Sequence, residues 1–286
     1  MVQEKKKKTG FGTAPVFLTA ISTILGAILF LRFGYAAGTL GFFGLALIIL
    51  LGHLVTIPTA FAISEIATNH RVEGGGEYFI ISRSFGLNIG ATIGIALYLS
   101  QAISVAFYVI AFTEAFGPVL SWLQTEYGID LPRQAISLPA MGILTLMILI
   151  RGANLGVKAL YFVVALLFAS LILFFAGKTE YSSSMSDGFF LTSFKDPKSF
   201  FIVFAIIFPA FTGMTAGVGL SGDLRKPRKS IPLGTTMATF MGLIVYFFIA
   251  WKLVVSASSE DLINDQLVMS RIAVFGWIAI PIGLFP

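Results

Sequence analysis

Seven long apolar stretches follow one another along the chain, at approximately 14–38, 41–67, 86–117, 134–151, 157–177, 199–222 and 232–256. An eighth begins at 271 and runs to residue 286. A helix needs about 20 consecutive, mostly apolar residues to cross the hydrocarbon core of a bilayer. The pattern therefore predicts an all-α, multi-pass integral membrane protein. Composition agrees: 57% of the 286 residues are hydrophobic and 12% charged, against about 45–50% and about 25% in a soluble domain. A soluble fold of this size could not keep so much apolar surface from water.

The basic residues orient the spans. With the N-terminus in the cytoplasm, Lys5 to Lys8, Arg71, Arg83, Arg151, Lys158, Arg225, Lys226, Arg228 and Lys229 are all inside, twelve of the 19 Lys and Arg residues, as the positive-inside rule asks. Arg32, Lys252 and Arg271 lie near outer helix ends, where long basic chains can snorkel. The expected organisation is a cytoplasmic tail over 1–13 and a transmembrane domain over 14–286, in the plasma membrane. The lysine run faces anionic lipid. It is not a signal peptide, since no small-residue cleavage site follows and further spans do. The net charge of +5 sits in this run and in short loops, so it is no nucleic-acid footprint. The lipid bilayer is the expected partner.

Enzyme chemistry finds little support. There is no cysteine, which removes disulfides and thiolate metal sites. No transition-metal spacing, nucleophile elbow or supported nucleophile–base pair occurs. Glu73-Gly74-Gly75-Gly76-Glu77 lacks the Gly-Lys-Ser/Thr ending of a phosphate loop and reads as a tight inner turn. No cofactor is implied.

Two spans look interrupted. The first contains Thr23-Ile24-Leu25-Gly26-Ala27-Ile28, and the sixth contains Phe208-Pro209-Ala210-Phe211-Thr212-Gly213-Met214-Thr215. Proline removes a backbone donor and clashes with the preceding turn; glycine is a poor helix former. A break at membrane depth survives only against protein or a water-filled cavity. Carbonyls ending the first half-helix suit a cation, and N–H groups opening the second suit an anion. Interrupted helices at corresponding places in two repeats are the mark of secondary transporters. A lone small-residue pair such as Gly90 with Gly94 reads instead as close packing.

Three stretches carry a family resemblance: Leu25-Gly26-Ala27-Ile28-Leu29-Phe30-Leu31-Arg32 with Gly38; Gly74-Gly75-Gly76-Glu77-Tyr78-Phe79-Ile80-Ile81-Ser82-Arg83-Ser84-Phe85-Gly86; and Phe208 to Gly213 leading to Ser221-Gly222-Asp223-Leu224 and Lys229-Ser230-Ile231-Pro232-Leu233-Gly234-Thr235. Over residues 12 to 256 the chain resembles the cation-chloride cotransporters of the amino acid–polyamine–cation superfamily. The resemblance implies a leucine-transporter-like inverted-repeat fold, with a first repeat over about 14–177 and an incomplete second over about 199–286. It implies chloride symport with potassium, with or without sodium. The cation would be held by Thr23, Ile24, Tyr108, Pro209 and Thr212. One chloride would sit on the N–H groups of Gly26, Ala27 and Ile28, and a second on those of Gly213, Met214 and Thr215. The family usually has asparagine where this chain has Thr23, which keeps the backbone ligand and alters its side-chain support. It is commonly dimeric, so a homodimer is compatible. Nearly three of its ten fold-forming helices are expected beyond residue 286.

Two other functions fit parts of the sequence: an amino acid or polyamine permease of the same superfamily, and a truncated, non-transporting accessory subunit. Among other polar residues, Glu65 and Glu114 lie near span ends, where solvation explains them as well as function does. His53 is deeper and reads as a helix–helix hydrogen bond before a proton relay. Asp223 and Arg225 read as a structural charge pair or inner gate.

Overall fold

The computed structural model describes residues 10–69, 73–177 and 197–274. Lys5 to Lys8, Arg71, the outer loop 178–196 and the 275–286 part of the expected eighth span lie outside them. Ten α-helices are described: α1 Thr13–Ile24, α2 Ala27–Asn69, α3 Gly76–Phe85, α4 Leu87–Ala115, α5 Gly117–Tyr127, α6 Gln134–Ala176, α7 Pro197–Ile207, α8 Pro227–Ser256, α9 Ser259–Asn264 and α10 Val268–Ile272. Two 3-10 segments, Phe208–Phe211 and Ala216–Asp223, separate α7 from α8. Among the described residues the extended structure is a single parallel bridge between Phe11 and Leu224.

The helices follow the apolar stretches, with two differences. The first two spans are separated as expected: α2 contains Gly41 at φ 64°, ψ −175°, a conformation open essentially to glycine. It divides α2 into arms over 27–40 and 42–69. The fourth and fifth spans, expected to be separate at 134–151 and 157–177, are instead one 43-residue helix, α6. At 1.5 Å per residue it is about 65 Å long, twice the hydrocarbon thickness. No proline falls within 151–156. Short helices also occupy the connections between the apolar stretches. α3 follows the turn at Gly74–Gly75, α5 ends on left-handed Gly128, and α9 starts at Ser258, whose hydroxyl accepts from Asp261 N–H at 3.2 Å.

α8 is the spine of the core. On one side it runs parallel to α1: Thr13 Oγ1 donates to Ser230 Oγ (3.4 Å), and Gly234 and Gly242 face Val16 and Ile24. The small ladder Ser230, Gly234, Ala238 and Gly242 has a period of four, so one face of α8 is stripped of bulk and α1 seats directly on it. On the other side α8 runs antiparallel to the second arm of α2. Ser64 bonds Thr236 at 3.3 Å, Phe61 meets Phe240 with ring centroids 6.1 Å apart, and His53 faces Tyr246. α9 lies on the first arm of α2, where Gly34 and Gly38 make room for Val268, Ser259 and Leu262. By contrast α4 and the first half of α6 present large apolar side chains outward, Ile95, Tyr98, Ile103, Leu138 and Ile148 among them, as lipid-exposed surface would.

On the ends where α1 and α8 begin, the connections are tied together. Phe11 N–H donates to Asp223 O and Arg225 N–H to Phe11 O, both at 2.9 Å. Ser221 Oγ donates to Glu73 O (2.8 Å) and accepts from Gly76 N–H (3.3 Å). The charge pair expected of Asp223 and Arg225 is not present among the described residues; both are bound through their backbones to the strand at Phe11.

A leucine at position 242 tests the α1–α8 seat. A Cβ on Gly242 would come within 2.7 Å of Ile24 Cγ2, whereas Gly142 has open space around it. Gly242→Leu is expected to lower detergent-solubilised stability by about 1–3 kcal/mol, the usual cost of overpacking. Gly142→Leu is expected to leave it unchanged. Thermal melts of the two variants decide this.

Candidate functional site

Both expected breaks exist, and they lie side by side. At the first, Leu25 N–H closes α1 on Ile21 O (2.8 Å) while Leu25 itself takes φ −85°, ψ 42°. α2 opens with Leu29 N–H on Gly26 O (3.0 Å). Among the described residues no acceptor is found for the N–H groups of Gly26, Ala27 and Ile28, the first-turn donors of the second half-helix. Gly26 also leaves space beside the carbonyls of Thr23 and Ser22, which a Cβ would meet at 3.1 and 3.5 Å.

At the second break, Pro209 begins a 3-10 turn that closes with Thr212 N–H on Pro209 O (3.2 Å). Thr212 is extended and Gly213 has φ 95°. The chain then resumes as the 3-10 segment Ala216–Asp223, not as an α-helix. A 3-10 run of this length is uncommon and marks strain or a hinge. Gly217 here is pressed on Val16, whose carbonyl and Cγ1 a Cβ would overlap. Among the described residues no acceptor is found for the N–H groups of Gly213, Met214 and Thr215.

Gly213 joins the two breaks. Its Cβ, were there one, would sit 2.5 Å from Thr23 Cγ2 and 3.0 Å from Thr23 Cβ. Thus Thr23, near the end of α1, lies against Gly213 at the second break. The Thr23 hydroxyl turns back onto its own helix, donating to Thr19 O at 2.8 Å. The Thr212 hydroxyl donates to Pro209 O at 2.7 Å.

Sequence reasoning did not single out Tyr246. Its hydroxyl contacts Ile24 O, the last carbonyl of α1, and Ala210 O, at 2.9 Å, in the turn before the second break. The ring is fully buried, stacked on Phe33 (centroids 4.8 Å, 21°) and edge-on to Phe211 (5.1 Å, 85°). Register explains its reach. Gly242 faces Ile24, and Tyr246 is one turn further along α8. Helical side chains lean towards the N-terminus, so the phenol falls back about one turn to Ile24. The signal was its place as the next rung after Gly242 in the four-residue ladder.

Tyr108 lies on α4, 42% exposed and edge-on to Phe107. Its helix is tied to α2 by an ion pair, Arg32 Nη2 to Glu114 Oε2 at 3.3 Å, with both side chains partly buried. His53 makes its hydrogen bond within its own helix, to Ile49 O at 2.8 Å, not between helices, and its ring leans on Phe211. Glu65 is exposed at the end of α2.

The chain was compared with known proteins. A family model described as amino acid permease matches residues 15–284. Solute carrier family 12 member 1 of Mus musculus is 34% identical over 252 residues, covering 82% of this chain and 23% of that protein. Solute carrier family 12 member 2 of Homo sapiens is 32% identical over 271 residues, 88% and 22% respectively. Member 2 of Danio rerio is 32% identical over 265 residues, 87% and 23%. The chain thus spans less than a quarter of the length of these curated relatives.

Gly213 meets two constraints at once, a positive φ and the Thr23 side chain. Gly128 has φ 65° with nothing within 4 Å of a Cβ. Gly213→Ala is therefore expected to destabilise by more than Gly128→Ala, which carries only about 1 kcal/mol of backbone strain. Melting temperatures of the pair, in the same detergent, measure the difference.

Proposed function

This chain belongs to the amino acid permease family, and from that premise we propose that it is a secondary active symporter coupling chloride to a monovalent cation. The fold is of the leucine-transporter-like all-helical class, with discontinuous first and sixth spans, and the relatives are named as solute carriers, not enzymes. One observation carries the reading. Two half-helix junctions adjoin across Thr23 and Gly213 and bring the carbonyl ends of two leading halves near first-turn N–H groups that have no acceptor among the described residues.

Carbonyls of Thr23, Ile24 and Pro209 end the leading halves, and the dipole makes that end attractive to a cation. Hydroxyls of Thr212 and Tyr108 complete the proposed cation set. Potassium is the proposed ion, on the resemblance to cation-chloride cotransporters. N–H groups of Gly26, Ala27 and Ile28, and of Gly213, Met214 and Thr215, open the following halves and suit two chlorides. Coupling follows from proximity: each ion lowers the electrostatic cost of the other in a low-dielectric site.

The protein is proposed to lie in the plasma membrane with its N-terminus inside. The tie between Phe11 and Leu224, and that between Ser221 and Glu73, support this, since they gather the basic residues Arg225, Lys226, Arg228 and Lys229 at one end of the bundle. A first repeat over about 14–177, the start of a second over 199–286, and a homodimer complete the proposal. The amino acid permease family match keeps a second reading in view, in which the same junctions hold the carboxylate and amine of an organic substrate.

The full-length protein in proteoliposomes separates these readings. Rubidium uptake is expected to require chloride and to stop when gluconate replaces it. Thr212→Ala and Tyr108→Phe are each expected to raise the rubidium half-saturation concentration about fivefold to tenfold, the weight of one hydrogen-bonding ligand. Chloride-independent rubidium uptake would count against symport. Uptake of a labelled amino acid in its place would favour the permease.

A further inference from the structure

We infer that Tyr246 is the residue that sets the spacing of the two helix junctions, and with it the cation preference of the site. This rests on the symport reading. The phenol belongs to neither broken helix, yet its hydroxyl contacts Ile24 O at the end of α1 and Ala210 O just before the second junction. A hydroxyl has one proton to donate. Shared between two carbonyls, it draws both towards one point and leaves lone pairs on each free for a further electropositive partner. Since Ile24 O is one of the proposed cation ligands, the position of that ligand is set by Tyr246.

The ring is held as firmly as the hydroxyl. Phe33 stacks on it, Phe211 meets it edge-on, and His53 approaches at 6.3 Å. Phe211 in turn lies over Gly52, where any Cβ would overlap its ring. On its own helix Tyr246 follows Gly242, the last small rung on which α1 rests. The aromatic cluster therefore fixes the phenol oxygen relative to both junctions, and the distance between the two carbonyl ends follows from it. Where selectivity rests on cavity size, a cage of fixed dimensions discriminates among cations of different radius and one whose ends are free to part does so less.

Tyr246→Phe removes the hydroxyl and keeps the ring packing. In proteoliposomes the variant is expected to raise the half-saturation for rubidium about tenfold, the effect of losing one well-placed hydrogen bond. It is also expected to flatten the preference among sodium, potassium, rubidium and caesium in competition. The chloride half-saturation is expected to change less than twofold. Wild-type-like cation affinity and preference in the variant would overturn the inference while leaving symport intact. An equal loss for cation and chloride would also overturn it, because it would show general damage. Should wild-type protein show no chloride-dependent rubidium uptake, the symport reading falls. Hydrogen exchange then still reads the spacing role: residues 21–28 and 207–216 are expected to exchange at least tenfold faster in Tyr246→Phe, and unchanged rates would refute it.

Discussion

A peptide group in hydrocarbon has no water to fall back on, and most of this structure can be read as the ways its peptide groups find partners. Along α1, α2, α4 and α8 the partner is the helix itself. At Leu25–Gly26 and at Thr212–Gly213 the helix fails, and two different solutions appear. The carbonyl side is partly closed by protein, through Tyr246, Thr212 and the 3-10 turn at Pro209. The N–H side has no acceptor among the described residues. An unpaired buried donor costs about as much as a lost hydrogen bond, and in the proposed symport that cost is what favours an anion at the junctions.

The junctions meet because of α8. A helix that presents Ser230, Gly234, Ala238 and Gly242 on one face can take another helix at close range, and α1 accepts. Two consequences follow from the same ladder. The end of α1 is brought to the level of the second junction, so that Thr23 touches Gly213. Its next rung, Tyr246, is large and polar where the others are small, and it fills the space beyond the place where α1 stops. Packing and polar pairing are thus supplied by one helical face.

Much of this was legible in the residues. Apolar length announced the spans, and proline or glycine beside hydroxyl residues announced the two junctions, because a helix breaks for local chemical reasons that sequence displays. Gly41 divided two spans where hydropathy put the boundary. What could not be read was register between separate helices. Nothing in the sequence around Tyr246 says that it faces Ile24, 222 positions away; that depends on an offset set by α1–α8 packing. Asp223 and Arg225, adjacent in charge, are used through their peptide groups. α6 failed expectation in another way: hydropathy dips across 151–156, but a dip in apolarity does not by itself unwind a helix.

The short parallel bridge between Phe11 and Leu224 has a mechanical meaning. It fastens the lead-in to the first broken helix to the exit of the sixth, and Ser221 fastens that exit to the turn before α3. The two segments cannot slide past one another without rupturing backbone hydrogen bonds. In the proposed transport cycle any rocking would carry them as a yoked pair, with the flexing left to the opposite ends, where the Arg32–Glu114 ion pair joins α2 to α4.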